Sequence, residues 1–208
     1  MMRPSAKVEV MHRMPSPKTL RLGAVLALVA GAGLVIPLLV GEAKEALIER
    51  AMTQGGYVIY LRHASRLSGP PESFSAETPL AAFSDCGKQR NLTTAGRGEA
   101  VRIGQTFQSI GVPIGAVYAL PLCRTRETAE LAFGRATLET QLYDPAFVGR
   151  LLAERPAEGT NTVLVDTEDQ VRRLAGIELA PGEAAVFKPD GNGGFRYHGR
   201  LDRDDLIR

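Results

Sequence analysis

Arg62 and His63 follow directly on the apolar run Tyr57-Val58-Ile59-Tyr60-Leu61, and Arg124 follows the run Ala116 to Leu120 after Pro121-Leu122-Cys123. Both runs are rich in β-formers and read as short buried strands. Arg124 also opens a helical pattern. A guanidinium beside a helix N-terminus supplies a planar fork and free N–H groups, a cradle suited to phosphate. A histidine set among such arginines can attack phosphorus and carry the phosphoryl group as a phosphohistidine. Arg66, three residues after His63, is a further candidate for the anion. Either segment alone is compatible with a solvated arginine or a core histidine. Two of them at the ends of two strands are a candidate phosphoryl site.

The elements that must position these residues alternate along the chain. A strand is expected over 57–61, then a long polar loop over 67–91 containing Gly69-Pro70-Pro71. Thr93 or Thr94 caps a helix with apolar residues at Ala100, Ile103, Phe107 and Ile110, and Gly111 stops it. Further expected elements are a strand over 116–120, a helix over 124–133 ended by Gly134, and a helix over 145–154. A strand over 162–165 and a helix over 168–175 follow, then late strands over 184–187 and 195–198 around the turn Asp190-Gly191-Asn192-Gly193-Gly194. Strand–helix alternation predicts an α/β fold, a three-layer α/β/α sandwich with a mostly parallel central sheet. In such sheets the site lies beyond the carboxyl ends of the strands. That is where Arg62, His63 and Arg124 fall.

Composition narrows the classes. The chain has 208 residues, 44% hydrophobic and 23% charged, which suits one globular domain and not a disordered chain. Two cysteines and three histidines exclude a multi-cysteine zinc module. The net charge of +2 is uneven: residues 1–21 carry five basic groups against one acid, so the remainder is net acidic. The chain gives no argument for nucleic-acid binding. It has no P-loop and no dinucleotide fingerprint, and no cofactor or metal is expected.

Residues 22–41, LGAVLALVAGAGLVIPLLVG, are twenty consecutive uncharged residues. As a helix they span about 30 Å, the thickness of a hydrocarbon core. The basic flank places residues 1–21 in the cytoplasm and the remainder outside. Two readings stay open: an uncleaved anchor, favoured by length, or a signal peptide cut after Ala43, favoured by Pro37. The expected organisation is a basic N-terminus (1–21), a membrane anchor or signal (22–41), a connecting helix (42–54) and a globular domain (55–208). Either reading puts that domain in the periplasm or another extracytoplasmic space. There Cys86 and Cys123 can oxidise to a disulfide or remain two free thiols.

Taken together, the motifs resemble those of the histidine phosphatase superfamily, with its phosphoglycerate mutase-like fold. VIYLRHASR is similar to that family's first-strand motif, with Arg62-His63-Ala64 where R-H-G is usual. Asn91-Leu92-Thr93-x-x-Gly96 is similar to its L-T-x-x-G helix start. Leu120-Pro121-Leu122-Cys123-Arg124-x-x-x-Thr128-Ala129 is similar to its second-strand motif, and Asn161 to Val165 to the strand before its second histidine. The tail, Gly176 to Arg196, resembles small exported bacterial members. The resemblance implies that His63 is the nucleophile and that Arg62, Arg124 and, less directly, Arg66 bind phosphate. Gln89 and Asn91 fall near the pocket mouth. It also implies a proton donor after the second helix, for which Asp144 is the first candidate and Glu139 and Glu127 the alternatives. Asp144 is equally suited to cap the helix that Pro145 begins.

One departure stands out. Val165-Asp166-Thr167-Glu168-Asp169 places Thr167 where the family carries its second histidine. Threonine donates one hydrogen bond and carries no positive charge. Asp166, Glu168 and Asp169 add negative charge, and read as a solvated helix start more readily than as metal ligands. His12 and His198 offer no clear substitute. The expected function is a phosphomonoester hydrolase working through a phosphohistidine at His63 and weakened by Thr167. The alternative is an inactive pseudo-phosphatase that binds an anionic ligand or partner. A mutase, which must retain and return the phosphoryl group, fits this departure poorly. The expected ligand is a small phosphorylated or anionic molecule, with the membrane as a partner only if residues 22–41 are retained.

Overall fold

A computed structural model describes residues 48–207. The hydrophobic segment 22–41 and residues 42–47 of the connecting helix therefore lie outside the described residues. Residues 48–52 are helical, with Ile48 and Met52 in the core. Among the described residues no helix is long and apolar enough to cross a membrane.

The sheet has six strands: β1 (Val58–Arg62), β2 (Ile114–Ala119), β3 (Thr137–Leu138), β4 (Asn161–Asp166), β5 (Ala184–Pro189) and β6 (Phe195–Leu201). Their order is β3-β2-β4-β1-β5-β6. The first four are mutually parallel, while β5 pairs antiparallel with both β1 and β6. The helices are α1 (Thr94–Ser109), α2 (Cys123–Phe133), α3 (Pro145–Ala153), α4 (Asp169–Ala175) and the short α5 (Arg203–Leu206). Successive side chains of a strand point to opposite faces, and β1 is buried on both. Ile59 and Leu61 join the layer that holds Ile103 and Phe107 of α1 and Ala129 of α2. Val58 and Tyr60 join the layer that holds Val148 and Leu152 of α3 and Val171 of α4. The result is the expected three-layer α/β sandwich.

The capping signals act as expected. The Thr93 hydroxyl accepts from Gly96 N at the start of α1, and Gly134 closes α2 with a left-handed φ of 71°. β3 and the 3-10 turn Thr140–Tyr143 were not anticipated, being too short to carry a periodic signal. The long loop 67–91 is also more structured than its composition suggested, with 3-10 turns at Leu80–Ser84 and Cys86–Lys88.

Pairing register is what builds the site. Leu61 lies opposite Val165, and Arg62 opposite Asp166. The backbone N–H of His63 then donates to the Asp166 carbonyl at 3.0 Å. The ends of β1 and β4, and with them His63 and Thr167, come side by side.

Candidate active site

His63 leaves the end of β1 and is almost fully enclosed, at 1% exposure. Its Nδ1 lies 2.8 Å from the Ala64 carbonyl oxygen. A carbonyl can only accept, so Nδ1 carries the proton and Nε2 keeps its lone pair. Burial, reinforced by the charge of Arg124 and then of Arg62 and Arg66, outweighs the Ala64 carbonyl and pushes the imidazole down to about 3. The ring is neutral at pH 7, the state a nucleophile requires.

The backbone around His63 is held by the other motifs. Thr128 on α2 bonds the Arg124 carbonyl at 2.7 Å and accepts from Ala64 N at 3.2 Å. The helix that carries Arg124 is thereby tied to the loop that carries His63. On the other side, Thr93 N donates to the Ser65 carbonyl at 3.0 Å, and Ser65 N donates to Glu99 at 3.0 Å. Gly96 is required by this approach: a Cβ there would sit 1.9 Å from the Ser65 carbonyl oxygen. Ala64 in place of the usual glycine meets no backbone obstacle, since no non-glycine residue among those described has a positive φ.

Both inner arginines are gripped by carboxylates. Arg62 Nη1 meets Glu168 at 2.5 Å and also donates to the Leu179 carbonyl. Arg124, 3% exposed, meets Glu72 at 2.8 Å through its own Nη1. Glu72 in turn receives Arg90 through Nε, through Nη2 at 2.6 Å and through its backbone N–H at 2.8 Å. Burial alone would raise the Glu72 carboxyl, but the Arg90 hydrogen bonds and the Arg124 charge prevail and hold it at about 2. Arg66 is different: its Nη1 bonds only the Leu67 carbonyl at 2.9 Å, and its charge lies in the field of Arg90, Arg124 and Arg62. Sequence reasoning missed Glu72 and Arg90. They are separated by 18 residues of aperiodic loop, and nothing local links them to Arg124.

The loop bearing Glu72 and Arg90 is fastened to α2. Cys86 and Cys123 form a disulfide with Cα atoms 5.8 Å apart. Gln89 accepts from Cys123 N at 2.9 Å and donates to the Phe83 carbonyl at 2.9 Å. Asn91 donates to the Cys86 carbonyl at 2.7 Å. Gln89 and Asn91 are thus braces of the loop, rather than side chains offered to a ligand.

The end of β4 is arranged otherwise. Asp166 is 1% exposed, with one carboxyl oxygen 2.6 Å from Thr167 N and the other 2.8 Å from the Tyr60 hydroxyl. Burial raises the Asp166 carboxyl to about 7, in spite of those two hydrogen bonds. The Tyr60 hydroxyl also lies 2.7 Å from the Thr167 carbonyl. The phenolic hydroxyl thus has two acceptors within reach, an Asp166 carboxyl oxygen and the Thr167 carbonyl. Thr167 turns its hydroxyl to the start of α4, 3.4 Å from an Asp169 carboxylate oxygen. In this arrangement the hydroxyl serves α4 rather than standing free to bind phosphate.

The remaining candidates have other partners. Asp144 caps α3, its Oδ1 accepting from Ala146 N at 2.9 Å, with Pro145 next to it. Glu139 caps the turn that precedes it, and Glu127 pairs with Arg97 at 2.5 Å. His198 packs against Tyr57, ring centroids 4.9 Å apart and planes tilted by 52°, on β6 at the sheet edge and two strands from β1. Asp166, Glu168 and Asp169 face Tyr60, Arg62 and Thr167 respectively, and do not converge on one point.

A three-layer α/β sandwich with its polar cluster at the carboxyl ends of parallel strands is the class that these features define. Within that class, the fold is phosphoglycerate mutase-like. The chain superposes on the protein histidine phosphatase SixA complexed with tungstate with a TM-score of 0.50 and 19% identity, covering 72% of this chain and 99% of that one. Phosphoserine phosphatase from Entamoeba histolytica is also similar: a mutant in complex with phosphoserine gives a TM-score of 0.47 at 11% identity, over 73% of this chain and 99% of that one. The same enzyme in complex with 3-phosphoglyceric acid gives 0.44 at 12% identity, over 73% and 99%. No family model and no curated protein matches the sequence.

Proposed function

We propose that the protein is a phosphomonoesterase in which His63 Nε2 attacks the phosphorus of a small phosphorylated substrate. The P–O ester bond breaks, the leaving oxygen takes a proton from water and departs as the alcohol, and water then hydrolyses the phosphohistidine to inorganic phosphate. Arg62 and Arg124 bind the phosphoryl oxygens, and Arg66 adds positive charge at the mouth. The observation that carries this reading is the His63 ring itself. It is neutral, its tautomer is fixed by the Ala64 carbonyl, and it is surrounded by guanidinium groups. Thr167 supplies no charge at the second-histidine position, so turnover is expected to be slow. Loss of one preorganised donor typically lowers rate about 10²–10³-fold.

A second reading, a pseudo-phosphatase that binds an anion without turnover, is favoured by the Thr167 hydroxyl being engaged with Asp169. We also take the hydrophobic segment 22–41 as an anchor or export signal that delivers residues 55–208 outside the cytoplasm. The Cys86–Cys123 disulfide supports an oxidising compartment.

The test is turnover of an aryl phosphate, whose phenolate leaves without needing a proton donor, by the full-length chain beside His63→Ala. Phosphatase activity present in the wild type and lost at least about 10³-fold in His63→Ala supports the enzyme. Phosphate binding without turnover in either protein selects the second reading.

A further inference from the structure

Arg62 and Arg124 are held in the same way. Each gives Nη1 to a glutamate, Glu168 for the first and Glu72 for the second. Each leaves its Nε buried and without a hydrogen-bond partner among the described residues. No Nη2 of either makes a hydrogen bond there. Nη1 lies on the Cδ side of a guanidinium, so Nε–H and Nη2–H form the opposite edge, the side-on fork that fits two oxygens of one phosphate. A buried donor without a partner is costly, and two at one site point to an anion that completes both.

Glu72 admits two roles. A carboxylate cradled by two guanidinium groups can be a stand-in for phosphate that the ligand must displace. It can instead be a fixed strut. The geometry distinguishes them. Glu72 is 5% exposed at its side chain, takes the Arg90 side chain in fork fashion, and accepts the Arg90 backbone N–H. Its loop is locked to α2 by Gln89 and by the disulfide at Cys123, the residue before Arg124. Above all, it takes the Nη1 corner and leaves the Nε–Nη2 edge free. A displaced mimic would sit on that edge.

From this we infer that Glu72 is a positioning residue, held by Arg90, which fixes Arg124 by Nη1 so that its Nε–Nη2 fork faces the phosphoryl group. Glu168 does the same for Arg62. This rests on the phosphate-site reading above. It also gives the loop 67–91 a function: it carries the strut and its brace, and is tied to the helix whose arginine they orient.

The test is titration of the full chain with inorganic phosphate, read by calorimetry and by the ¹H–¹⁵N resonances of the arginine Nε–H groups. In the wild type, phosphate is expected to shift both the Arg62 and the Arg124 Nε–H resonances. In Glu72→Gln, phosphate binding is expected to weaken about tenfold or more, the scale of one charge-assisted hydrogen bond. The Arg124 shift is expected to vanish while that of Arg62 persists. A strut needed only for folding would lower Tm without that selective loss. Unchanged or tighter binding in Glu72→Gln overturns the inference, tighter binding marking Glu72 as a competitor for Arg124. Glu72→Asp, which keeps the charge but is too short to span both arginines, is judged by the same outcomes if Glu72→Gln does not fold. A wild type that binds no phosphate overturns the phosphate-site reading and this inference with it.

Discussion

The ends of β1 and β4 lie side by side in one parallel sheet, yet they hold their buried ionisable groups in opposite ways. At the end of β1, His63 is kept neutral by loss of a proton, through burial and neighbouring arginines. At the end of β4, Asp166 is drawn toward neutrality by retention of one, through burial that outweighs its hydrogen bonds from Thr167 N and Tyr60. The first arrangement leaves a lone pair free for chemistry. The second uses every polar atom internally: both Asp166 oxygens, the Tyr60 hydroxyl and the Thr167 hydroxyl all have protein partners. Burial by itself therefore does not make a site. What separates the two ends is whether a polar atom is left over.

The sharpest way to break the β1 end is Gly96→Ala. The added methyl meets the Ser65 carbonyl, so α1 or the His63 loop must move. A loss of about 3 kcal/mol or more is expected, read as a lower midpoint in chemical denaturation, with any phosphatase activity lost in parallel. An unchanged midpoint would mean that the backbone around Ser65 is not the rigid support described here.

The comparison can also be erased from the other side. Thr167→His returns a cationic donor to the end of β4. Aryl phosphate turnover is expected to rise by about 10–100-fold, with a small loss of stability from the missing α4 contact. No gain would show that Thr167 alone does not limit turnover and would point to the Asp166–Tyr60 cluster instead.

The smallest effect is in the pH dependence of stability. His63 is lowered in the folded state, so its contribution grows as pH rises from about 3 to its unfolded value near 6.5. Asp166 is raised, so its contribution is complete below its unfolded value near 4 and is lost as pH rises through about 7. The two slopes oppose each other where they overlap. Asp166→Asn removes the falling one and keeps the hydrogen bonds, since an amide can accept from Thr167 N and donate to Tyr60. Its stability is expected to rise between about pH 4 and pH 6.5 more steeply than that of the wild type, by at most about 1.4 kcal/mol per pH unit. Parallel pH profiles for the two proteins would show that Asp166 titrates normally.

How much of this was legible in advance follows the length scale of each contact. His63, Arg62 and Arg124 were legible because each follows a recognisable strand, and strand ends of a parallel sheet gather. Thr93, Gly111 and Gly134 were legible because caps are local. Asp144 was legible as a helix cap, and its bond to Ala146 N is that cap. Glu72 was invisible because its partners, Arg90 and Arg124, lie 18 and 52 residues away. Tyr60 read only as a strand residue, since its partner Asp166 lies 106 residues on. Glu168 and Asp169 were seen as negative charge near the site, but their partners Arg62 and Thr167 were not.

The sequence by itself determined the alternation of strands and helices, the nucleophile candidate at a strand end, the arginines that flank it and the absence of a histidine at position 167. These rest on periodicity, capping and residue type, which act over a few neighbours. Only the tertiary structure decided which atoms of those residues are free. Strand register put β1 and β4 abreast, the loop 67–91 folded back to place a carboxylate on Arg124, and burial shifted both His63 and Asp166 toward their neutral forms. Each of these depends on groups far apart in the chain meeting where water is excluded, and no local pattern encodes that.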